Sequence, residues 1–109
     1  MILIITAQDS KLESPVERRF GRCPWFIKMD TETNQWEAFA NPGINLSGGA
    51  GVAAAQFVVD KKADAVISGD FGPNAFGAFQ AAGIKMIRFN DGITTVDDAV
   101  QKFNKGELK

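Results

Sequence analysis

Histidine and tyrosine are both missing from this 109-residue chain, and cysteine occurs once. Without histidine, the chain's own residues cannot build a Ser-His-Asp or Cys-His nucleophilic site, or a two-His metal centre. The lone Cys23 excludes an intrachain disulfide and suits a reducing compartment. Charge of one sign is also lacking: 12 Lys and Arg against 13 Asp and Glu leave a net charge of -1. Such a balance gives no electrostatic drive toward nucleic acid or an anionic membrane, so neither is an expected partner. The opening run MILIIT is too short for a signal-peptide core or a bilayer span, and no basic residue precedes it. A cytoplasmic location is the expectation. What remains is an ordinary globular composition, 45% hydrophobic and 23% charged, sized for one domain over residues 1–109.

Ile2–Thr6 is a continuous aliphatic run and reads as a buried central strand. AQDSKLESPVERRFGRCP, residues 7–24, is polar and broken by Gly21 and two prolines, which predicts loop. PWFIKMDTETNQWEAFAN predicts a β-hairpin turning near Glu32–Gln35. Its odd-numbered set on the first strand (Trp25, Ile27, Met29) and even-numbered set on the second (Trp36, Ala38, Ala40) are expected to face different layers. From Gly51 to Lys62 apolar residues recur at helical spacing, as Val52, Ala55, Val59 or as Ala53, Phe57, with lysines in the last turn. Ala65–Ser68 and Ile84–Phe89 predict strands. Asn74–Ala82 predicts a helix closed by Gly83, and Thr95 with Asp97 and Asp98 opens a last helix to about Asn104. Residues 106–109 predict a frayed tail.

This order, β, β-hairpin, α, β, α, β, α, implies an α/β sheet with helices on both faces. If the first strand of the hairpin is antiparallel, the breaks after Thr6, Ala40, Ser68 and Phe89 all fall at one sheet edge. Open α/β sheets bind ligands in the crevice at that carboxyl edge. Both glycine-rich loops, SGGAG and SGDFGPNAFG, land there, each before a helix whose first N–H groups favour an anion. Asn74 is placed to cap its helix or to donate to a ligand. One such loop alone serves equally as a tight connection; two at a common edge favour a site. Neither is a Walker A loop or a G-x-G-x-x-G dinucleotide fingerprint. Phe71, Phe76 and Phe79 surround the second loop, as pocket wall or as helix packing.

RRFGRCPWF sets Arg18, Arg19 and Arg22 around Cys23. Neighbouring guanidinium groups lower a thiol pKa and favour the thiolate, the form that ligates soft metals. The plainer alternative is a half-buried cysteine beside solvated arginines. An anionic, preassembled metal cluster would need arginines and N–H donors, and at most one thiolate. Asp9, Asp70 and Asp91 share the same edge and raise a carboxylate–metal phosphotransfer enzyme, which needs several acids on one ion.

The segments RFGRCPWFIKMDTET and NPG…GGAGVAAAQFVVDKKADAVISGDFGPNAFGAFQAAGIKM resemble the dinitrogenase iron-molybdenum cofactor biosynthesis family, which includes NifX-type carriers and the C-terminal part of NifB. The resemblance covers residues 1–100. It implies a ribonuclease-H-like α/β/α fold with a five-stranded mixed sheet, order 3-2-1-4-5, and the second strand antiparallel. It implies a non-enzymatic carrier of an iron–sulfur or iron–molybdenum cofactor or precursor, with no catalytic residues. The implied partners are the metal cluster or a cluster-assembly protein, and the implied state a monomer or weak dimer. The cofactor-binding residues carried over or expected are Arg22, Cys23, Gly48, Gly49, Gly51, Gly69, Gly72 and Asn74. Phe20, Gly21, Ala50, Pro73 and Ala75 complete the matching motifs. The family is expected to use histidine or cysteine near the cluster; here Arg19 precedes Phe-Gly-Arg and Cys23 is the only soft metal ligand. A protein-interaction or regulatory module of the same fold is the alternative, and the phosphotransfer enzyme ranks last.

Overall fold

The structure, a computed structural model, describes residues 1–46 and 48–108; Ser47 of the first glycine loop and Lys109 of the tail lie outside them. Five strands, β1 (Ile2–Ala7), β2 (Trp25–Asp30), β3 (Trp36–Ala40), β4 (Ala65–Ser68) and β5 (Lys85–Arg88), form one sheet of order β3-β2-β1-β4-β5. β1 pairs antiparallel with β2 and parallel with β4, and β5 runs parallel to β4. Three helices, α1 (Ala50–Asp60), α2 (Gly72–Ala82) and α3 (Val96–Asn104), complete the order expected from the sequence. No helix among the described residues is long and apolar enough to cross a membrane.

Alternation along β1 divides the core. Leu3, Ile5 and Ala7 pack with Ile27, Ile67 and Ile87 beneath α3, through Val96, Ala99 and Val100. Ile4 packs on the opposite face with Phe26 and Val66, beneath α1 and α2, through Ala54, Ala55, Val58, Ala75 and Phe79. Each fully buried aliphatic or aromatic side chain contributes about 1.5–3 kcal/mol, so both helical layers are firmly attached.

The register of the hairpin corrects one expectation. Trp25, Ile27 and Met29 lie directly opposite Ala40, Ala38 and Trp36. Directly paired residues share a face, so the two sets point into the same layer, not different ones. The turn itself is as expected, with Asn34 in the left-handed region (φ 61) and Asp30 Oδ1 accepting from the Glu32 N–H at 2.9 Å.

Helix ends follow local chemistry. Gly83 closes α2 at φ 73, and Thr95 caps α3 by accepting the Asp98 N–H at 3.1 Å. In α1 the buried stripe is Ala50, Ala54, Ala55 and Val58, while Val52 is 56% exposed. Lys61 and Lys62 fall just past the last turn of α1. Lys61 Nζ instead sits 4.2 Å over the Phe39 ring and 5.3 Å from Phe57. The expected frayed tail is docked at least to Leu108, which is buried in the α3 layer, with the Glu107 N–H donating to the Lys102 carbonyl at 2.9 Å.

Candidate functional site

The carboxyl edge of the sheet is crossed by the chain's own backbone. In an open α/β sheet the ligand crevice lies where strand order reverses, here between β1 and β4. Residues 17–20 fill it as a strap. The Glu17 N–H donates to the Thr6 carbonyl at 2.9 Å, and the Thr6 hydroxyl donates back to the Glu17 carbonyl at 2.6 Å. Ser68 Oγ lies 3.0 Å from Thr6 Oγ1 and 3.4 Å from the Arg18 carbonyl, and both hydroxyl residues are fully buried. Asp70 N–H donates to the Arg18 carbonyl at 2.6 Å and Phe20 N–H to the Asp70 carbonyl at 2.9 Å. The loop expected over residues 7–24 is therefore pinned to the sheet, by isolated bridges at Val16 and Arg19 and by a 3-10 turn at Phe20–Arg22.

Gly69 makes the strap possible. A Cβ there would lie 2.8 Å from both the Arg18 Cγ and carbonyl oxygen. Gly69 serves this close approach and is not among the residues lining the cleft described next.

On the α1–α2 side of the strap lies a cleft of about 200 Å³. Its walls are Arg19, Phe20, Gly21, Gly51 and residues 70–75, Asp70 to Ala75. The two glycine loops thus do converge, joined by the Phe-Gly-Arg turn. Gly21 packs against α1, where a Cβ would stand 3.3 Å from the Gly51 Cα. Beneath the turn Phe20 is buried against Phe26, Phe71 and Phe79, with ring centroids 5.5, 6.1 and 5.2 Å away.

The two helix starts differ. α1 opens at Gly49 (φ 75) with no side-chain cap and no acid in its first turn. Its first N–H groups keep the partial positive charge that attracts an anion. At α2 the Gly72 N–H donates to Asp70 Oδ1 at 3.3 Å, and Pro73 has no N–H. Asn74 neither caps nor begins the helix: α2 starts two residues earlier, at Gly72, and Asn74 is exposed on the cleft wall.

Cys23 is corrected most sharply. It is fully buried, its Sγ donating to the Phe20 carbonyl at 3.2 Å with Asn41 Nδ2 at 3.8 Å. Burial foremost, then the nearby Glu17 carboxylate, pushes the thiol far above its usual range. The arginines do not offset this: Arg22 is exposed, Arg19 leans on Glu17 at 3.7 Å and Arg18 pairs with Asp91. The expected thiolate, and with it the soft metal ligand, is replaced by a neutral thiol sealed in the core.

Of the expected residues, Gly51, Gly72 and Asn74 line the cleft. Gly48 and Gly49 are exposed at the entry to α1 and Arg22 lies one residue beyond the cleft wall. Sequence reasoning missed Arg19 and Asp70 as wall residues. The first is adjacent to Phe-Gly-Arg, and the second has the Asp-x-Gly spacing of a side-chain-closed turn.

No group of three or more His, Cys, Asp or Glu able to hold a metal ion occurs among the described residues, so Asp9, Asp70 and Asp91 do not assemble a carboxylate site. Phe71 and Phe79 are core, whereas Phe76 is 45% exposed on α2. On the other side of the strap an open cavity of about 610 Å³ borders Arg18, Arg19, Asn90 and Thr94. A depression of about 530 Å³ at the opposite sheet edge, near Asp30, Trp36 and Glu37, holds none of the expected site residues.

Comparison with known proteins adds four findings. The model of the family described as dinitrogenase iron-molybdenum cofactor matches residues 1–106. The apo form of the orange protein from Desulfovibrio gigas is 38% identical, with a TM-score of 0.91, over 99% of this chain and 90% of that one. A NifB-like protein from Thermotoga is 34% identical with a TM-score of 0.85, over 99% and 90% of the two chains. An uncharacterized protein of Methanocaldococcus jannaschii is 26% identical over all of this chain and 98% of its own length.

Proposed function

The chain belongs to the dinitrogenase iron-molybdenum cofactor family, and from that premise we propose that it is a non-enzymatic carrier of an anionic metal cluster, an iron–sulfur or iron–molybdenum cofactor or its precursor. The observation that carries this reading is the cleft itself. It joins an uncapped helix start at α1, Arg19, and the exposed Pro73 beside the buried Phe20 and Phe71. N–H dipoles and a guanidinium stabilise negative charge, and the exposed proline offers an apolar contact. The chain has no imidazole and its only thiol is buried and protonated. The cargo therefore arrives with its own ligands and is held by charge, hydrogen bonds and shape.

Anaerobic titration with a thiolate-capped [4Fe–4S] dianion and with isolated iron–molybdenum cofactor, followed by absorbance and EPR, tests this. Saturable one-to-one binding at micromolar cluster is expected, weakened by Arg19→Ala and unchanged by Cys23→Ala. Absence of binding at micromolar cluster refutes it.

A second reading, an interaction or regulatory module, draws on Leu46, Val52 and Phe76, three large apolar side chains exposed in or beside the starts of α1 and α2. A pull-down from native extract under anaerobic conditions separates the two. A stoichiometric partner bound without any metal supports the module; metal in the purified protein supports the carrier.

A further inference from the structure

We infer that the chain pairs with a second copy of itself along the free edge of β3, the two strands running antiparallel about a dyad at Ala38. The order β3-β2-β1-β4-β5 leaves two strand edges, and they differ in how well they are guarded. β5 is four residues long and has exposed Lys85 and Arg88 at its ends, a common protection against edge pairing. β3 holds no lysine, arginine or proline, and its Trp36 is 38% exposed.

The hydrogen bonds of the hairpin fix which groups β3 offers. Asp30 N–H donates to the Gln35 carbonyl at 2.9 Å and Asn41 N–H to the Pro24 carbonyl at 3.0 Å, one at each end of β3. By antiparallel alternation, residues 35, 37, 39 and 41 direct their backbone groups toward β2. Trp36, Ala38 and Ala40 turn theirs to the open edge.

A dyad through Ala38 sets Ala38 opposite the partner's Ala38, and Trp36 opposite the partner's Ala40. Each such pair exchanges both of its N–H···O bonds. On the α3 face, the large Trp36 then lies across from a small residue. On the other face, Glu37 stands opposite the partner's Phe39. Lys61 Nζ sits 4.2 Å over the Phe39 ring, so each Glu37 meets a lysine across the dyad. Neither Glu37 nor Lys61 makes an ion pair within its own chain among the described residues. Hydrogen-bond register, size and charge are all self-complementary, as closed pairing of identical chains requires. The contact is small, so the dimer is a weak and reversible one. None of residues 36–40 lines the cleft, so pairing leaves both clefts open and does not depend on what they carry.

Sedimentation velocity of the full chain tests this, with dimer expected to appear at a midpoint of about 100 μM and to dominate at about 1 mM. Over the same range, amide exchange followed by NMR should slow at Trp36, Ala38 and Ala40. It should stay unchanged at Met86 and Arg88, whose N–H groups lie on the free side of β5. Ala38→Pro removes the central outward donor at a place where an edge strand tolerates proline, and should leave a folded monomer at every concentration. Glu37→Lys and Lys61→Glu should each weaken dimerisation about tenfold, and the double variant should restore it. Far-UV circular dichroism verifies the fold of each variant; if Ala38→Pro does not fold, the charge-reversal pair decides. A chain that stays monomeric at about 1 mM overturns the pairing. So does a dimer that survives Ala38→Pro, exchange that slows at β5 instead of β3, or charge reversals that fail to rescue one another.

Discussion

Phe20→Ala is the perturbation that most directly tests how the site is held. Phe20 is the one residue of the Phe-Gly-Arg turn that is buried, and its ring meets those of Phe26, Phe71 and Phe79 at centroid separations of 5.2–6.1 Å. Truncating a buried phenylalanine costs about 3–5 kcal/mol, and three aromatic neighbours, at about 0.5–1.5 kcal/mol each beyond their area, favour the upper half of that range. Unfolding entropy near about 2.1 cal/mol/K per residue gives roughly 0.23 kcal/mol/K for a chain of 109 residues. The melting temperature should therefore fall by about 17–22 °C. Thermal unfolding followed by circular dichroism, with urea denaturation as a second measure, reads this out. A loss below about 1 kcal/mol, or under about 5 °C, would mean that the ring is not the anchor of the strap and that the packing argument fails.

Three further outcomes are expected. The Cys23 thiol should resist Ellman's reagent in the native protein and react fully in denaturant; fast native labelling would contradict its burial. Because its folded pKa is raised, the unfolded chain loses this proton first as pH climbs past about 9. Stability should then fall by up to about 1.4 kcal/mol per pH unit above that point, and Cys23→Ala should flatten the profile. Gly69→Ala places a Cβ 2.8 Å from the Arg18 carbonyl oxygen and Cγ. It should cost about 1–3 kcal/mol by overpacking and weaken cluster binding through the displaced strap, whereas Gly48→Ala, with open space around it, should leave binding and melting temperature unchanged.

Much of the architecture was legible because the signals are local. MILIIT and AVIS are apolar on both faces, Gly83 needs the left-handed region, and Thr95 stands three residues before an Asp, so strands, C-cap and N-cap follow from residue chemistry alone. α1 was harder, since GVAAAQFVV is small and apolar on every side and offers little contrast from which to read a buried face. The strap was not legible at all. It has no periodicity, and its order comes from distant partners: the Thr6 and Ser68 hydroxyls and the Asp70 backbone. Cys23 failed for a related reason. Adjacency in sequence to Arg22 says nothing of direction, and the two neighbouring side chains point oppositely, one into the core and one to solvent. Convergence of the two glycine loops was correctly inferred from strand direction. Their inequivalence was not, because it depends on whether the Asp70 carboxylate or a ligand occupies the start of α2.

The claim that most needs testing is the place of binding. A ¹⁵N–¹H correlation spectrum of the full chain, recorded anaerobically as a paramagnetic cluster is added, reads every amide at once. Binding in the cleft predicts shifts or broadening concentrated at Gly21, Ala50, Gly51, Val52 and Asn74, with Asn90 and Thr94 beyond the strap and Glu37 at the far edge unaffected. Perturbation centred on Asn90 and Thr94, or spread evenly over the surface, would contradict it.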